Sequence, residues 1–322
     1  IFMKNWSDPT TAGDSGCPWE EDQWDVRRVC HLLNIPFYTI SGEEEYRKRV
    51  FKIFLKEVRA GRTPNPDVLC NKEIKFRVLL DFARAMGANA LATGHYAQVQ
   101  KSSKGFQLLR GADFAKDQSY FLHLLDQNQL AFTRFPIGKF TKPFVRTMAK
   151  KLHLPTAEKK DSHGICFIGE VPMRKFLKQY LSPRLGNIVT MDGDVIGQHD
   201  GIIYYTIGQR QGLKIGGGIP YYVVEKDVRK NILIVAKGSH HPSLYQETLL
   251  ADAVHWIAGR APQFPFDCTA KIRYRQIDQS CHVEQERRGV RVKFDEPQRA
   301  ITPGQAIVFY DGDVCLGGGT IQ

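Results

Sequence analysis

Apolar residues in the first part of the chain repeat with the spacing of helices, and short apolar runs separate these repeats. From Val26 to Leu33 they recur at i, i+3, i+4 and i+7, which predicts an amphipathic helix that begins near Pro18. A strand is predicted at residues 37–40 and a second helix at residues 44–60. Because buried strands that alternate with helices form parallel sheets, the pattern predicts a doubly wound α/β domain with a parallel sheet.

The same alternation continues to residue 93, where the pattern changes. Residues 90–93 are apolar and predict a buried strand that ends at Gly94 and His95. Ligands of parallel α/β sheets bind at the carboxyl ends of strands, so this strand end is a candidate binding site. Residues 96–100 and 106–110 then predict a hairpin.

Beyond residue 140 the elements become shorter and then change type. Thr141 and Pro143 open a predicted helix whose apolar face, including Met148 and Leu152, is expected to point inward. Later runs, such as residues 221–225 with 232–236, predict paired strands. We therefore predict three domains: an α/β catalytic domain at residues 1–170, a small β-rich domain at residues 171–242 and a C-terminal β-barrel at residues 243–322.

Composition and charge narrow the class of protein. The chain has 322 residues, 42% of them hydrophobic, and a formal net charge of +11. These values indicate a folded protein, and the charge suits a polyanionic partner such as nucleic acid; the alternative on charge alone is a generic basic soluble protein. No apolar run reaches the length of a membrane span, and no stretch has the pattern of a signal peptide. A cytoplasmic location without membrane association is therefore expected.

Seven cysteines are scattered along the chain without a C-x-x-C pair. This distribution predicts neither a zinc finger nor a disulfide framework, and it favours a reducing compartment. No tightly bound metal is expected. His240 and His241 are interpreted as part of a solvated linker, because no third ligand of suitable spacing follows them.

One cysteine lies in a stiff loop, GRTPNPDVLCNKEIKF at residues 61–76. Its two prolines fix their own φ angles and bias the residues before them towards extended conformations. Asn71 is the expected N-cap of a basic helix, which would place Cys70 just before a helix N-terminus and favour its reactive thiolate. Asp67 lies three positions before this thiol. The alternative is a structural loop with a buried, inert cysteine.

A second cysteine, Cys166, lies in another polar loop. Lys159, Lys160 and His163 are close to it in sequence, and cationic neighbours favour a thiolate. Two such cysteines suggest a redox or sulfur-handling pair. The polar segment at residues 116–120 is a further candidate site, although it is also what an ordinary helix-capping segment looks like.

Several motifs resemble, in order and spacing, those of one family, the tRNA-specific 2-thiouridylases (MnmA/TrmU) of bacterial type. The resemblance covers essentially the whole chain. It rests on MKNW at residues 3–6, the loop at residues 61–76, ATGHY at 92–96, KDQSYF at 116–121, GICFIG at 164–169, YTIGQR at 205–210, YVVEKD at 222–227, RYRQ at 273–276 and TPGQ at 302–305.

The resemblance implies that the α/β domain is of the PP-loop ATPase type, and it implies an activity and a mechanism. Members of this family use ATP, bound with Mg²⁺, to adenylate the C2 oxygen of the wobble uridine 34 of tRNA, and a cysteine persulfide then supplies sulfur. By this resemblance Cys166 is the persulfide carrier, Cys70 is the second catalytic thiol and Asp67 is a general acid or base. A disulfide between Cys70 and Cys166 would follow sulfur transfer.

The resemblance also assigns binding residues. Met3 and Gly94 match positions that contact the adenine nucleotide. The positions that match contacts to tRNA or to its target base are Asn65, Pro66, Asp67, His95, Lys116, Asp117, Gln118, Arg273, Tyr274 and Gln305. The implied partners are the tRNAs for Lys, Glu and Gln, and a cysteine desulfurase or sulfur-relay protein. A monomer is expected.

One motif of the family does not occur in the sequence. The glycine-rich Ser-Gly-Gly-x-Asp-Ser loop, which would hold the phosphates of ATP, is expected to precede Ile1, so that the catalytic domain would lack its N-terminal segment. Weak or absent activity of this chain is therefore expected. This leaves a non-catalytic tRNA-binding or RNA-binding protein as an alternative. A different PP-loop ATPase that acts on a small molecule would not explain the β-domains, of which the barrel has a basic side formed by Arg273, Arg275, Arg287, Arg288 and Arg291.

Overall fold

The structure is a computed structural model that describes residues 1–7, 18–159 and 173–322. Its first region alternates strands and helices. Strand β1 (Phe2–Lys4) pairs in parallel with β2 (Thr39–Ser41), and β3 (Leu91–Ala92) pairs in parallel with β6 (Thr133–Arg134). The described helices are α1 (Pro18–Leu32), α2 (Glu43–Tyr46), α3 (Lys52–Arg59), α4 (Pro66–Cys70), α5 (Leu79–Ala85), α6 (Ser119–Leu122), α7 (Gln127–Phe132), α8 (Lys142–Lys151) and α9 (Met173–Lys178).

Two of the helical runs contain π-helical segments. Residues Arg47–Phe51 join α2 to α3, and Asn71–Val78 join α4 to α5. Such segments are uncommon and are often found at functional sites. The second of them directly follows Cys70, so the loop that carries the candidate thiol leads into an irregular helix.

Helix α8 differs from its prediction in one respect. Within the described structure it has no buried residue, and Met148 and Leu152 are 40% and 55% exposed. The prediction that this apolar face points inward is wrong. Helical periodicity identifies which side chains share a face, whereas burial also requires another element to cover that face.

The middle of the chain forms a four-stranded sheet. Its strands are β7 (Gly186–Thr190), β8 (Val195–His199), β9 (Tyr221–Asp227) and β10 (Ile232–Lys237), in the order β8-β7-β10-β9. Strands β9 and β10 are antiparallel, which confirms the predicted pairing. Strands β7 and β10 are parallel.

The C-terminal region is a closed antiparallel barrel. Its six strands are β11 (Tyr245–Trp256), β12 (Phe266–Lys271), β13 (Gln279–Glu286), β14 (Gly289–Arg299), β15 (Ala306–Asp311) and β16 (Val314–Ile321). Pairing of β11 with β16 closes the barrel. The parallel α/β pairs, the small sheet and the barrel together confirm the predicted fold class.

The predicted hairpin of β4 (Ala97–Ser102) and β5 (Gly105–Arg110) is present, but it extends the barrel sheet. Leu109 pairs with Val314 and Leu108 with Cys315. One buried cluster accordingly contains both Leu108 and Tyr310, from the first and the last region. The regions are thus joined by shared hydrophobic packing as well as by the chain. Among the described residues, no helix is both long enough and apolar enough to span a membrane.

Candidate active site and nucleic-acid interface

Helix α4 is capped by Asn65, which lies in the loop before it. Oδ1 of Asn65 accepts a hydrogen bond from the backbone N–H of Asp67 at 3.1 Å, and Pro66 occupies the first position of the helix. Proline suits this position because its φ is already helical and no N–H partner is needed there. The helix therefore begins at Pro66, and the prediction of Asn71 as its N-cap is wrong, since Asn71 has helical dihedral angles.

This earlier start changes the setting of Cys70. The residue lies one turn inside the helical run and is 0% exposed, within a buried cluster that includes Met3, Tyr46 and Ile74. The argument from a helix N-terminus therefore does not apply to it. Burial agrees with the structural alternative for this conformation, and a reactive role requires the sulfur atom to become accessible.

Asp67 remains partly open. Its half-buried side chain lines a cavity of ≈ 400 Å³ between the loop, α9 and the middle sheet region. Thr63 and Pro66 line the same cavity from the loop, and Arg174 and Tyr204 line it from the other side. A carboxylate in this position can exchange a proton with a group that enters the cavity.

His95 is buried, with a protein partner on each ring nitrogen. Nε2–H donates to Oδ1 of Asn71 at 3.2 Å, and Nδ1 accepts from the hydroxyl of Thr93 at 2.8 Å. This tautomer follows because the amide nitrogen of Asn71 donates to the carbonyl of Phe121 at 3.3 Å, which leaves Oδ1 as an acceptor. Burial and the charge of Lys75 hold the pKa of His95 well below its ordinary value, so the ring is neutral.

The segment at residues 116–118 is held by its own side chains. Asp117 is buried and accepts from the backbone N–H groups of Gly111 and Ser119, each at 3.0 Å. Oε1 of Gln118 accepts from the backbone N–H of Tyr96 at 2.9 Å. The N-cap residue of α6 is Gln118, whose side chain makes no cap hydrogen bond and instead lies beside the strand end at residues 94–96. Lys116 is half-buried.

Two candidate residues of the barrel, Tyr274 and Gln305, contact residues of the α/β region. Strand β12 ends at Lys271, so Arg273 and Tyr274 lie in the connection that follows it. The ring of Tyr274 packs on that of Phe121, with 4.5 Å between centroids. Nε2 of Gln305 donates to the carbonyl oxygen of Thr63 at 2.6 Å. The structure thus joins these barrel residues to the α/β region at two points.

Three family models match successive parts of the chain. The family model of the tRNA methyl transferase HUP domain matches residues 1–170, that of the tRNA methyl transferase PRC-barrel domain matches residues 174–237, and that of the aminomethyltransferase beta-barrel domain matches residues 246–321. The curated tRNA-specific 2-thiouridylase MnmA of Halalkalibacterium halodurans is 55% identical to the chain. The chain belongs to the MnmA family of tRNA-specific 2-thiouridylases.

The MnmA relatives are similar along the entire chain. The H. halodurans alignment covers 100% of this chain and 87% of the relative. The MnmA proteins of Alkaliphilus oremlandii and Stutzerimonas stutzeri are 54% and 51% identical over 100% of the chain, which covers 89% and 87% of their lengths. Because the HUP model matches from residue 1, the prediction that the domain lacks an N-terminal segment is not confirmed.

The two residues predicted to contact the adenine nucleotide lie in or just after strands. Met3 is in β1 and is buried, whereas Gly94 follows β3 and is exposed. A Cβ atom at Gly94 would meet no atom of the described residues within 4 Å, so its backbone is open to a ligand and fits the approach of a nucleotide. The two strands belong to separate two-stranded sheets. Cys166 lies outside the described residues.

Sequence reasoning missed Arg110, which is 4% exposed. Its guanidinium donates to Oδ2 of Asp278 at 2.7 Å, lies 3.7 Å from the ring centroid of Tyr310 and has Asp117 at 3.8 Å. Arg110 thus links the segment at residues 116–118 to the barrel. No local signal reveals it, because Asp278 is 168 positions away in the chain.

Proposed function

We propose that the protein is an ATP-dependent tRNA-uridine 2-sulfurtransferase that converts uridine 34 of tRNA to 2-thiouridine. The observation that carries this proposal is the bond between Thr63 and Gln305. It attaches the loop of Asp67 and Cys70 to the barrel, the region that also carries the candidate tRNA-binding residues Arg273 and Tyr274. The full-length similarity to curated tRNA-specific 2-thiouridylases supports the same activity. A tRNA substrate also favours the cytoplasm.

The first step of the proposed reaction is activation of the target uridine by ATP. ATP with Mg²⁺, when bound, supplies the adenylyl group that makes the C2 oxygen of uridine a good leaving group. Met3 and Gly94 would hold the nucleoside part. Asp67 would move a proton at the target base, which leaves its stack and enters the cavity that Asp67 lines.

Sulfur would be transferred in two steps. The terminal sulfur of a persulfide on Cys166 bonds to C2, and the C2–O bond breaks with release of AMP. The Cys70 thiolate then attacks the inner sulfur of Cys166, so that the S–S bond breaks, the new sulfur stays on C2 with the electron pair, and a Cys70–Cys166 disulfide forms. Cys70 has to leave its buried position for this second step.

The remaining groups would bind the macromolecular partners. Lys116, Arg273 and Tyr274 would contact tRNA, together with the loop at residues 65–67. The substrates would be tRNAs for Lys, Glu and Gln, and a cysteine desulfurase or sulfur-relay protein would load Cys166. We propose that the protein acts as a monomer.

The test is mass spectrometry of nucleosides from unmodified tRNA incubated with the protein, ATP, Mg²⁺, cysteine and a cysteine desulfurase. We expect 2-thiouridine at position 34. Cys166→Ser and Cys70→Ser should abolish the product without weakening tRNA binding, whereas the control Cys30→Ala should retain it. Binding of tRNA without any product would favour the non-catalytic RNA-binding alternative. Equal loss of product and binding in Cys166→Ser would contradict the persulfide role.

A further inference from the structure

The backbone of Thr63 is bonded on both sides to a single turn of the barrel. Its N–H donates to the carbonyl oxygen of Pro303 at 2.9 Å, and its own carbonyl accepts from Nε2 of Gln305 at 2.6 Å. We name residues 61–67 the target-base loop. Because one hydrogen bond holds the N–H of Thr63 and another holds its carbonyl oxygen, the barrel turn at residues 302–305 determines where this part of the loop lies.

The same turn is in backbone contact with the loop through Gly304. A Cβ atom at Gly304 would lie 2.9 Å from Cβ of Arg62 and 3.0 Å from the backbone nitrogen of Thr63. The φ angle of Gly304 is +92°, which favours glycine. The N–H of Gly304 donates to the carbonyl of Ile321, so the turn is itself fixed to the last barrel strand.

The other side of the loop is held by the middle region. The hydroxyl groups of Thr63 and Thr206 lie 3.4 Å apart, and the N–H of Thr206 donates to Oε1 of Gln209 at 3.0 Å. Gly61 packs so closely on Val228 that a Cβ atom there would lie 2.2 Å from a methyl carbon of that valine. The target-base loop is therefore the point where all three regions of the chain meet.

A displacement of Thr63 would be transmitted almost undiminished to Asp67. The residues between them include Pro64 and Pro66, whose rings fix φ, and Asn65, whose side chain caps the helix at Asp67. A flexible segment would absorb a displacement by rotation about φ, whereas this segment has few free rotations left. The position of the Asp67 carboxylate thus depends on the bonds made at Thr63.

We propose that Gln305 and Thr206 are positioning residues of the sulfur-transfer reaction, which act through Thr63 on Asp67. This inference rests on the proposed function. It assigns Gln305 a bond inside the protein, where the family resemblance implies a contact with tRNA. Through this bond the position of the barrel, to which tRNA binds, determines the geometry of the loop that receives the target base.

The test compares rate with affinity in matched variants. Gln305→Ala removes the donor, Thr206→Val removes a hydroxyl group at nearly constant shape, and Gln246→Ala changes an exposed glutamine on the barrel as a control. We expect Gln305→Ala to lower the single-turnover rate at saturating tRNA by about 10-fold to 100-fold, because small errors in position have effects of this size, and Thr206→Val, which also changes the lining of the cavity, to lower it in the same direction. The dissociation constant for tRNA should stay unchanged, and Gln246→Ala should behave as the unmodified protein.

Two glycine-to-alanine substitutions provide an independent test of the same contact. Gly304→Ala introduces a methyl group against the loop, whereas Gly238→Ala introduces one after β10, with the same φ of +92° and no described atom within 4 Å. Both substitutions place alanine at the same positive φ, so their difference isolates the contact with the target-base loop. Gly304→Ala alone should reduce the rate.

Hydrogen exchange separates this inference from the proposed function. The N–H of Thr63 should exchange faster in Gln305→Ala than in Gln246→Ala, whether or not the protein makes 2-thiouridine. Unchanged exchange in Gln305→Ala would overturn the inference. A weaker tRNA affinity with an unchanged rate at saturation would also overturn it, since that result is expected of a direct tRNA contact. Absence of product from the unmodified protein would instead overturn the proposed function.

Discussion

Nε2–H of His95 donates a buried hydrogen bond to Oδ1 of Asn71 over 3.2 Å, and Asn71 directly follows Cys70 in the chain. Because Nδ1 of the same ring accepts from Thr93, the imidazole connects the end of β3 to the helical run of the candidate thiol. The amide of Asn71 extends this connection to the carbonyl of Phe121. His95 therefore supports the site from within the protein.

Replacing His95 by Phe keeps a ring of similar shape and removes both hydrogen bonds. The buried Oδ1 of Asn71 and the hydroxyl of Thr93 would lose their partner, and each such loss costs about 1–3 kcal/mol. We expect the free energy of unfolding, measured with urea, to fall by about 2–5 kcal/mol. The control His31→Phe changes an exposed histidine of α1 and should have little effect. Equal effects of the two substitutions would contradict this account of His95.

Stability should fall in mild acid because of His123. Its Nδ1–H donates to the carbonyl of Tyr120 at 2.8 Å, and burial, with a smaller contribution from the neighbouring His255 and Lys72, lowers its pKa from 6.5 to about 4. The unfolded chain binds a proton at this ring below pH 6.5, whereas the folded chain does not bind it until about pH 4. His123 thus stabilises the fold above pH 6.5, and this contribution is lost as the pH falls, by about 1.4 kcal/mol per pH unit.

Urea unfolding at a series of pH values between these limits tests this dependence. The variant His123→Gln has no group that titrates in this range at that position, so its stability should fall less steeply than that of the unmodified protein. His95 remains in both proteins and contributes in the same direction. Identical slopes in the two proteins would show that His123 is not responsible.

Arg110 should be among the most sensitive charged positions. It is buried between Asp278, Asp117 and the ring of Tyr310, and its removal leaves Asp117 buried without its ion-pair partner. Loss of one partner of a buried pair costs about 3–5 kcal/mol, so Arg110→Met should lower the free energy of unfolding by that amount. The exposed pair of Arg291 and Glu286 is the matched control, and Arg291→Met should cost about 1 kcal/mol or less. A small effect at Arg110 would mean that water or a rearranged neighbour replaces its bonds.

The thiols of Cys268 and Cys281 lie 3.7 Å apart on directly paired residues of β12 and β13. The hydrogen bond with Cys268 and burial raise the pKa of Cys281 well above its ordinary value, so oxidation should begin at the more accessible Cys268. We expect diamide to join the two thiols in a disulfide, with loss of two hydrogen atoms from the protein and reduction of the diamide to a hydrazine. Peptide mass spectrometry after alkylation should detect this bond. Cys268→Ser should prevent it, and free, alkylated Cys268 and Cys281 after treatment would contradict the expectation.

Local features of the sequence determined many elements of this protein by themselves. The spacing of apolar residues after Pro18 predicted α1, and the alternation at residues 221–236 predicted the pairing of β9 with β10. The order of the motifs at residues 61–76, 92–96 and 116–121 also led to the family. Periodicity, turn residues and motif spacing are properties of neighbouring positions, so the sequence shows them without knowledge of the fold.

Only the tertiary structure decided which of these elements meet. It added the hairpin at residues 97–110 to the barrel sheet, left α8 without a buried residue within the described structure and joined Gln305 to Thr63 across 242 positions. It also began the helix of Cys70 at Pro66, where the cap of Asn65 combines with a preset φ, and it packed the thiol inside a buried cluster. A periodic pattern shows that a face will be apolar or polar, but the partner of that face depends on how whole elements pack, and residues close in space are often distant in the chain.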